Sequence, residues 1–575
     1  MNPSPHTPPP WLQHYGQTIP ATLAPPADAS LPAMAARTAQ RYAQQTAFTC
    51  VMPNGMYGNL SYAEVDAKSD DFARYLRQVC QLQPGDRVAV QMPNCLSYPV
   101  VLLGILKAGC VAVNTNPLYT PAEMAHQFKD SGAKAIVIVD LFADKLEAIL
   151  AQTPIRHVVL TRVPEFFPGL VGGIVYGVMK HWNRLIPAHQ LPAVRLPEAL
   201  AQGARAGGTV RDWWAPLGHD SLALLQYTGG TTGVAKGAML SHGNLLWNLR
   251  QMLAMCGSHI DPGQEVVLTA LPLYHVFAFT VNFLAMFEQG ARNILVPSPR
   301  PIQNLQRAME NYRITWLTGV NTLYNALLNE EWFTAFPPRH IKAAGGGGAA
   351  MHHAVVERWE AVTKAPLVEG YGLTESSPVA CFQPLHGGRR PDTIGIPAPM
   401  TEVRLVDDDG RDVPAGQPGE LILRGPQVMQ GYWQRPEETA KMIRDGWLYT
   451  GDVAVMSEDG TFKIVDRKKD MIIVSGFNVY PNEVEDALTR HDGVLEAAVI
   501  GVPDAKTGEA VRAYVVRRDP ALTAEALAAH CRNLLTGYKL PARIEFRDEL
   551  PKTPIGKILR RDLRQDVLAS LKREG

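Results

Sequence analysis

Residues 227–237 read Tyr-Thr-Gly-Gly-Thr-Thr-Gly-Val-Ala-Lys-Gly. Thr228, Gly229, Gly230, Thr231, Thr232, Gly233 and Lys236 combine a pliable backbone, hydroxyl donors and one cation. Glycines let a chain turn tightly and aim several N–H groups at one anion, and hydroxyls with a lysine suit a polyphosphate. Gly237 stands where a Walker A motif requires Ser or Thr, so the loop belongs to another class. A flexible polar hairpin uses similar residues, and other segments must decide. Gly345 to Gly348 precede a helical stretch, Ala349 to Trp359, and suit backbone that approaches a flat ligand; a linker has the same composition. In Glu369-Gly370-Tyr371-Gly372-Leu373-Thr374-Glu375 the flanking glycines free a tyrosine ring for stacking. Thr374 offers a hydroxyl to phosphate, and Glu375 a hard oxygen ligand for Mg2+. Asp452, in Thr450-Gly451-Asp452, suits ribose hydroxyls, although the tripeptide is also a common turn. Pro551 to Lys557 is a proline-restrained loop that delivers one lysine, a residue more often found on the surface.

The elements that must position these groups follow from periodicity. Tyr62, Val65, Phe72, Tyr75 and Leu76 predict a helix over 62–76. Pro84-Gly85-Asp86 is a turn before a strand at 87–92, a helix at 100–108 and a strand at 111–114. Ala135 to Val139 is a short, unbroken apolar run, as in a buried parallel strand. Strands alternating with helices predict an α/β architecture. The charge cluster Asp466-Arg467-Lys468-Lys469-Asp470 follows a strand-like stretch, 461–465, and would ordinarily be a solvated turn. Beyond it, helices at 483–489 and 524–535 and strands at 497–501 and 511–516 make a small domain of typical size. The division is therefore a proline-rich, loosely packed segment at 1–30, a large domain at 31–466, and a small one at 467–575 with a hinge near Lys469.

Composition narrows the class. The chain has 575 residues, 46% hydrophobic and 19% charged, with formal net charge zero. Several domains are expected, and nothing in the charge balance suggests nucleic acid. Seven dispersed cysteines without a C-x-x-C pair argue for reduced thiols in a cytoplasmic setting, against a disulfide framework or zinc site. The N-terminus lacks the basic and apolar regions of a signal peptide. The longest strongly apolar stretch, 169–179, falls short of the roughly 18 residues that span a bilayer. Within 166–191, however, apolar and aromatic residues give way to Lys180, Arg184 and His189. That pattern fits contact with the inner face of a membrane, a lid, or a dimer contact equally well.

Taken in order, YTGGTTGVAKG, LPLYHVFA (271–278), EGYGLTESS (369–377), YTGD (449–452), DRKKDMIIVSGFNVYPNEVE (466–485) and PKTPIGKILRR (551–561) resemble the ANL superfamily of adenylate-forming enzymes. NPLYTP (116–121), GVNTLYNALLN (319–329), GYWQRPE (431–437) and LTGYK (535–539) extend the resemblance to the bacterial long-chain fatty acyl-CoA synthetases, from about 30 to 570. The fold so implied is a large, multi-layered N-terminal domain of parallel sheets and helices with a small, mobile α+β C-terminal domain.

The resemblance implies two half-reactions: a fatty carboxylate attacks the α-phosphate of ATP, and the CoA thiol then displaces AMP. By motif match, Thr228 to Lys236 hold the β- and γ-phosphates, and Thr228 with Glu375 hold Mg2+. Thr374 meets phosphate. Tyr371 stacks on adenine, helped by Gly346, Gly370 and Gly372. Asp452 and Arg467 bind ribose, and Lys557 bridges carboxylate and α-phosphate. His275 borders the acyl carboxylate and gates CoA entry, with a satisfied core histidine as its alternative. The small domain rotates about Lys469, and Gly476 comes to the pantetheine channel. Phe279, Val320 and Leu323 flank matching motifs and are candidates for an acyl tunnel, though ordinary core packing explains each equally well. The resemblance also raises a homodimer through the large domain. Competing readings are a medium-chain or aryl acid–CoA ligase, a ligase that hands acyl groups to a carrier protein, and a non-catalytic nucleotide-binding accessory to membrane transport.

Overall fold

The computed structural model describes residues 8–16, 18–228, 235–385, 389–475, 477–504, 506–554 and 556–574. Among these residues the strands form four sheets. One has seven strands in the order Val194–Arg195, His157–Thr161, Ala135–Val139, Arg87–Gln91, Val111–Asn114, Leu222–Thr228 and Lys236–Ser241. All its pairings are parallel except the last, where Leu222–Thr228 and Lys236–Ser241 run antiparallel. Ala135–Val139 is buried at every position, the reason its run is unbrokenly apolar. Helix Ser97–Lys107 is buried along its whole length. Its one charge, Lys107, is neutralised by Asp66 at 2.5 Å and Asp70 at 2.6 Å.

The second sheet has nine strands, and its inner part carries much of the site. Val266–Thr269, Trp316–Gly319, Ala343–Gly346 and Leu367–Gly372 run parallel there, and Val379–Phe382 closes back antiparallel. A third, antiparallel sheet contains Pro418–Arg424, Trp447–Met456 and Phe462–Arg467. The fourth holds Ile472–Val474, Phe477–Val479, Val494–Asp504, Gly508–Arg517 and Arg543–Arg547, and it has its own buried aliphatic cluster. Helices Pro481–Thr489, Ala524–Arg532 and Arg560–Glu574 accompany it.

Most expected elements appear within a few residues of their predicted bounds. The helix predicted over 62–76 spans Tyr62–Arg74 and continues as a wider turn, Tyr75–Val79. Its start is set by a reciprocal cap in which Ser61 and Glu64 bond each other's backbone N–H. The strand expected at 497–501 extends over Val494–Asp504 because it pairs along that length with Gly508–Arg517.

Two expectations fail. The segment at 1–30, expected to pack loosely, is tied down where it is described. Trp11, Tyr15 and Ile19 are buried. Trp11 meets Phe462 with ring centroids 5.8 Å apart, and Tyr15 Oη donates to the Pro397 carbonyl at 2.8 Å. Three apolar anchors at four-residue spacing outweigh the conformational effect of the prolines. The charge cluster at 466–470, expected to be a solvated turn, is an exposed turn only at Lys468 and Lys469, whereas Asp466 lies in strand Phe462–Arg467 and joins a buried ionic network. Asp466 is 1% exposed and meets Arg560 Nη1 at 3.1 Å. Arg560 also bonds Glu485 at 2.8 Å and Asn482. Lys468 pairs with Asp408 at 2.6 Å and Glu420 at 3.2 Å.

Candidate active site

Leu367–Gly372 leaves the nine-stranded sheet where the backbone turns back into Val379–Phe382. A Cβ on Gly372 would overlap the Pro378 carbonyl, so this crossing requires glycine. It presents Tyr371, whose hydroxyl donates to Asp452 Oδ2 at 2.6 Å. Asp452 lies in register opposite Arg467 on the third sheet, and their charged groups approach to 3.7 Å. The expected adenine and ribose groups therefore meet across two sheets. Gly346 sits opposite Glu369, and a Cβ there would stand 2.6 Å from Met351 Sδ. Glu369 Oε1 accepts the Met351 N–H at 3.3 Å. Burial pushes the Glu369 carboxyl up to about 8, with the Met351 N–H opposing. Glu369 is thus largely a neutral acid at pH 7.

Thr374 and Glu375 occupy the short turn Thr374–Ser376. Glu375 is buried, and burial raises its pKa while the Tyr432 hydroxyl, donating at 2.6 Å to Oε1, opposes the shift. Lys236 ion-pairs with Glu438 and lies 5.2 Å from the centre of the Tyr432 ring. Thr228 and Lys236 face each other in register at the mouth of their hairpin. Gly229, Gly230, Thr231, Thr232 and Gly233 lie outside the described residues, as does Gly476. Glu375, Tyr432 and Lys236 form one cluster, and sequence reasoning missed Tyr432 and Glu438. GYWQRPE carries that tyrosine, but nothing in its spacing shows that it faces a carboxylate.

The C-terminal lysine reaches the site. The Thr553 N–H donates to the Lys557 carbonyl at 2.7 Å, and the Lys557 N–H to Thr553 Oγ1 at 3.0 Å. Gly556, at φ +92°, packs on helix Asn321–Leu328, where Thr322 Oγ1 donates to its carbonyl at 3.0 Å. Lys557 is driven down to about 7, first by burial and then by Arg467; Asp452 opposes, and Arg560 and Lys469 add repulsion. Burial and the nearby Lys557 hold His275 down at about 4, so its imidazole is neutral. The Phe277 N–H donates to His275 Nδ1 at 3.3 Å, which assigns the proton to Nε2. Arg467, Lys469 and Lys557 are several cations arrayed around Asp452, a surplus of positive charge that suits an anionic ligand. Val320 lies at the same junction, its Cγ2 3.1 Å from a Cβ built on Gly556. Leu323 bridges two core clusters, and Phe279 packs edge-on against Phe283 at 5.9 Å inside the core.

A fold of four such sheets with this motif-bearing junction defines a class. The chain belongs to the AMP-binding enzyme family, which matches residues 35–433, and the AMP-binding enzyme C-terminal domain matches residues 483–557. Among curated relatives, the long-chain-fatty-acid–CoA ligase of Escherichia coli O6:H1 is 50% identical over 97% of this chain and 98% of its own length. That of Bacillus subtilis is 37% identical over the same shares. Among solved structures, ATP-bound MatB from Rhodopseudomonas palustris is 30% identical, with a TM-score of 0.79 over 93% of this chain and 99% of its own. The anthranilate CoA ligase AuaEII, at 24% identity and a TM-score of 0.81, shares the fold.

Proposed function

We propose that this chain activates long-chain fatty acids to acyl-CoA through an acyl-AMP intermediate, consuming ATP and releasing AMP and pyrophosphate. Identity of 50% to a long-chain-fatty-acid–CoA ligase over nearly the full length supports the overall reaction. The observation that carries the residue roles is the seating of Lys557 beside His275, Asp452 and Arg467.

The first step brings two anions together, a carboxylate and a triphosphate, so its barrier is electrostatic. Lys557, buried and short of counter-charge, gains most when an anion arrives and restores its proton. It bridges the fatty carboxylate and the α-phosphate as charge builds on both. Asp452 and Arg467 hold ribose, and Tyr371 exchanges its bond to Asp452 for the face of adenine. Neutral His275 borders the carboxylate without adding charge, and Val320 and Leu323 start the acyl path. Among the described residues no three His, Cys, Asp or Glu side chains gather as a metal cage. One buried carboxylate, Glu375, fits Mg2+ carried in on phosphate. Glu375 and Thr228 would hold that ion, which lowers the charge of the phosphates.

The second step needs Lys557 gone, because the CoA thiol must reach the same carbonyl. The small domain, 467–575, turns about Lys469 and brings the loop at Gly476 to the thiol's path. CoA-dependent AMP release, scanned from acetate through long-chain fatty acids, tests the substrate: a maximum at long chains is expected. Turnover confined to short or aromatic acids overturns that part. Lys557→Ala is expected to slow adenylation by about 10²–10³-fold while sparing thioester formation from supplied acyl-AMP. Equal losses in both half-reactions refute the assignment.

A further inference from the structure

The segment 430–433 is stitched alongside strand Lys236–Ser241. The Trp433 N–H donates to the Gly237 carbonyl at 2.8 Å, the Met239 N–H to the Gly431 carbonyl at 2.9 Å, and the Gln430 N–H to the Met239 carbonyl at 3.0 Å. This pairing sets Glu438, in the first turn of helix Pro436–Met442, beside Lys236. Glu438 meets two cations with two different oxygens. Its Oε2 pairs with the Lys236 ammonium, and its Oε1 lies 3.8 Å from Arg435 Nε. The second separation is an ionic approach without a hydrogen bond.

Asp130 keeps Arg435 at that distance. Arg435 Nη2 donates to Asp130 Oδ1 at 2.7 Å, and the Asp130 side chain is 8% exposed. Asp130 is itself held on two other sides. Its Oδ2 accepts the Tyr227 hydroxyl at 2.7 Å, and its carbonyl accepts Trp433 Nε1–H at 3.2 Å. Lys236, Glu438, Arg435 and Asp130 thus form a line of alternating charge that sums to zero and ends on a buried carboxylate. The one charge of Lys236 cannot fully serve both Glu438 and a triphosphate. A carboxylate left alone beside phosphates would also repel them.

We propose that Glu438 is an internal rival of polyphosphate for Lys236, and that Arg435 is the positioning residue that takes over Glu438 when the lysine transfers. A shift of about 1 Å brings Arg435 Nε into hydrogen-bonding range of Glu438. The carboxylate then keeps a counter-ion, and its charge is withheld from the phosphates. The exchange runs backward as pyrophosphate leaves, when Glu438 reclaims the lysine. Glu438 therefore weakens the hold on ATP and on pyrophosphate alike, and it speeds release of the latter. The proposal rests on the adenylation reading, from which Lys236 takes its phosphate role.

The test is binding of Mg·ATP and of AMP to the full chain by calorimetry, without fatty acid. AMP lacks the phosphates assigned to Lys236, so it reports whether the rest of the site is intact. Glu438→Gln should tighten ATP by about two- to fivefold and leave AMP affinity as it was. Arg435→Gln should weaken ATP by a similar factor, because Glu438 then keeps the lysine. In the Glu438→Gln background, Arg435→Gln should change nothing further, the mark of a residue that acts through another. In ATP–pyrophosphate exchange with a long-chain acid, Glu438→Gln should lower KM for pyrophosphate and leave KM for the acid. Unchanged ATP affinity in Glu438→Gln, with ATP and AMP both bound by the wild type, overturns this proposal alone. So does an equal change for ATP and AMP, or a loss on Arg435→Gln that is the same in both backgrounds. A wild type that binds neither nucleotide overturns the adenylation reading and this proposal with it.

Discussion

Lys557 and Glu369 show how burial sets chemistry at single residues. With Lys557 down at about 7 in the ligand-free enzyme, its charged form is lost as pH rises through that value. The ratio kcat/KM for ATP–pyrophosphate exchange reports the free enzyme. It should therefore fall above about pH 7, while kcat holds further because a bound anion restores the proton. Lys557→Arg, always charged, should flatten the alkaline limb of kcat/KM whatever its effect on rate. An unchanged limb would assign it to another group. Glu369 makes the opposite case: its pKa is raised from 4.5 to about 8, so the folded state binds more protons than the unfolded one in between. Stability is then lost as pH rises from about 5 to 8. Glu369→Gln should remove that slope in melting temperature and raise the value at pH 8 by a few degrees. Tyr432→Phe removes the donor to Glu375 and should weaken Mg2+-dependent adenylation by about 10–100-fold, read from the Mg2+ dependence of exchange. Tyr432 was invisible in the sequence because its partner is 57 positions away. Tyr371, Glu375 and Lys557 were legible because each sits in a motif whose glycines and prolines announce a special backbone.

At the scale of elements, legibility follows burial. Ala135–Val139 and Val111–Asn114 are covered on both faces, so apolar content marks their bounds. The caps at Ser61 and Thr120 depend on three-residue reciprocity that hydrophobic pattern does not register. Asp466 was misread because its counter-ion, Arg560, lies 94 residues away; a charge run buries itself only when distant chain supplies the opposite sign. The crossing of Leu367–Gly372 over Val379–Phe382 gives a direct test. Gly372→Ala forces a methyl into the Pro378 carbonyl and should cost about 1–3 kcal/mol. Denaturant unfolding would show it as a lower midpoint at constant slope, and an unshifted midpoint would mean that the crossing yields freely.

For the whole molecule, helix Asn321–Leu328 reaches the small domain through two side-chain bonds among the described residues. Thr322 holds Gly556, and Asn325 Nδ2 donates to the Leu495 carbonyl at 2.8 Å. The proposed departure of the small domain between half-reactions would break these bonds, since an equilibrium moves only as far as the contacts differ. Thr322→Ala with Asn325→Ala should slow adenylation several-fold while leaving or quickening thioester formation from acyl-AMP. Single-turnover assays of each half-reaction would separate these, and parallel losses would argue against a moving domain. Lys469→Pro should do the reverse by stiffening the proposed hinge.

The N-terminal anchor has a consequence for how the chain is made. Trp11 and Gln13 reach partners at Phe462 and Asp459, so their binding site does not exist until the chain has grown 446 residues beyond Gln13. Until then the Trp11 indole must wait without its Phe462 partner. Closing so long a loop is entropically costly and slow. This anchor therefore closes late, and a bulky group joined ahead of Trp11 should betray itself as late misfolding during translation.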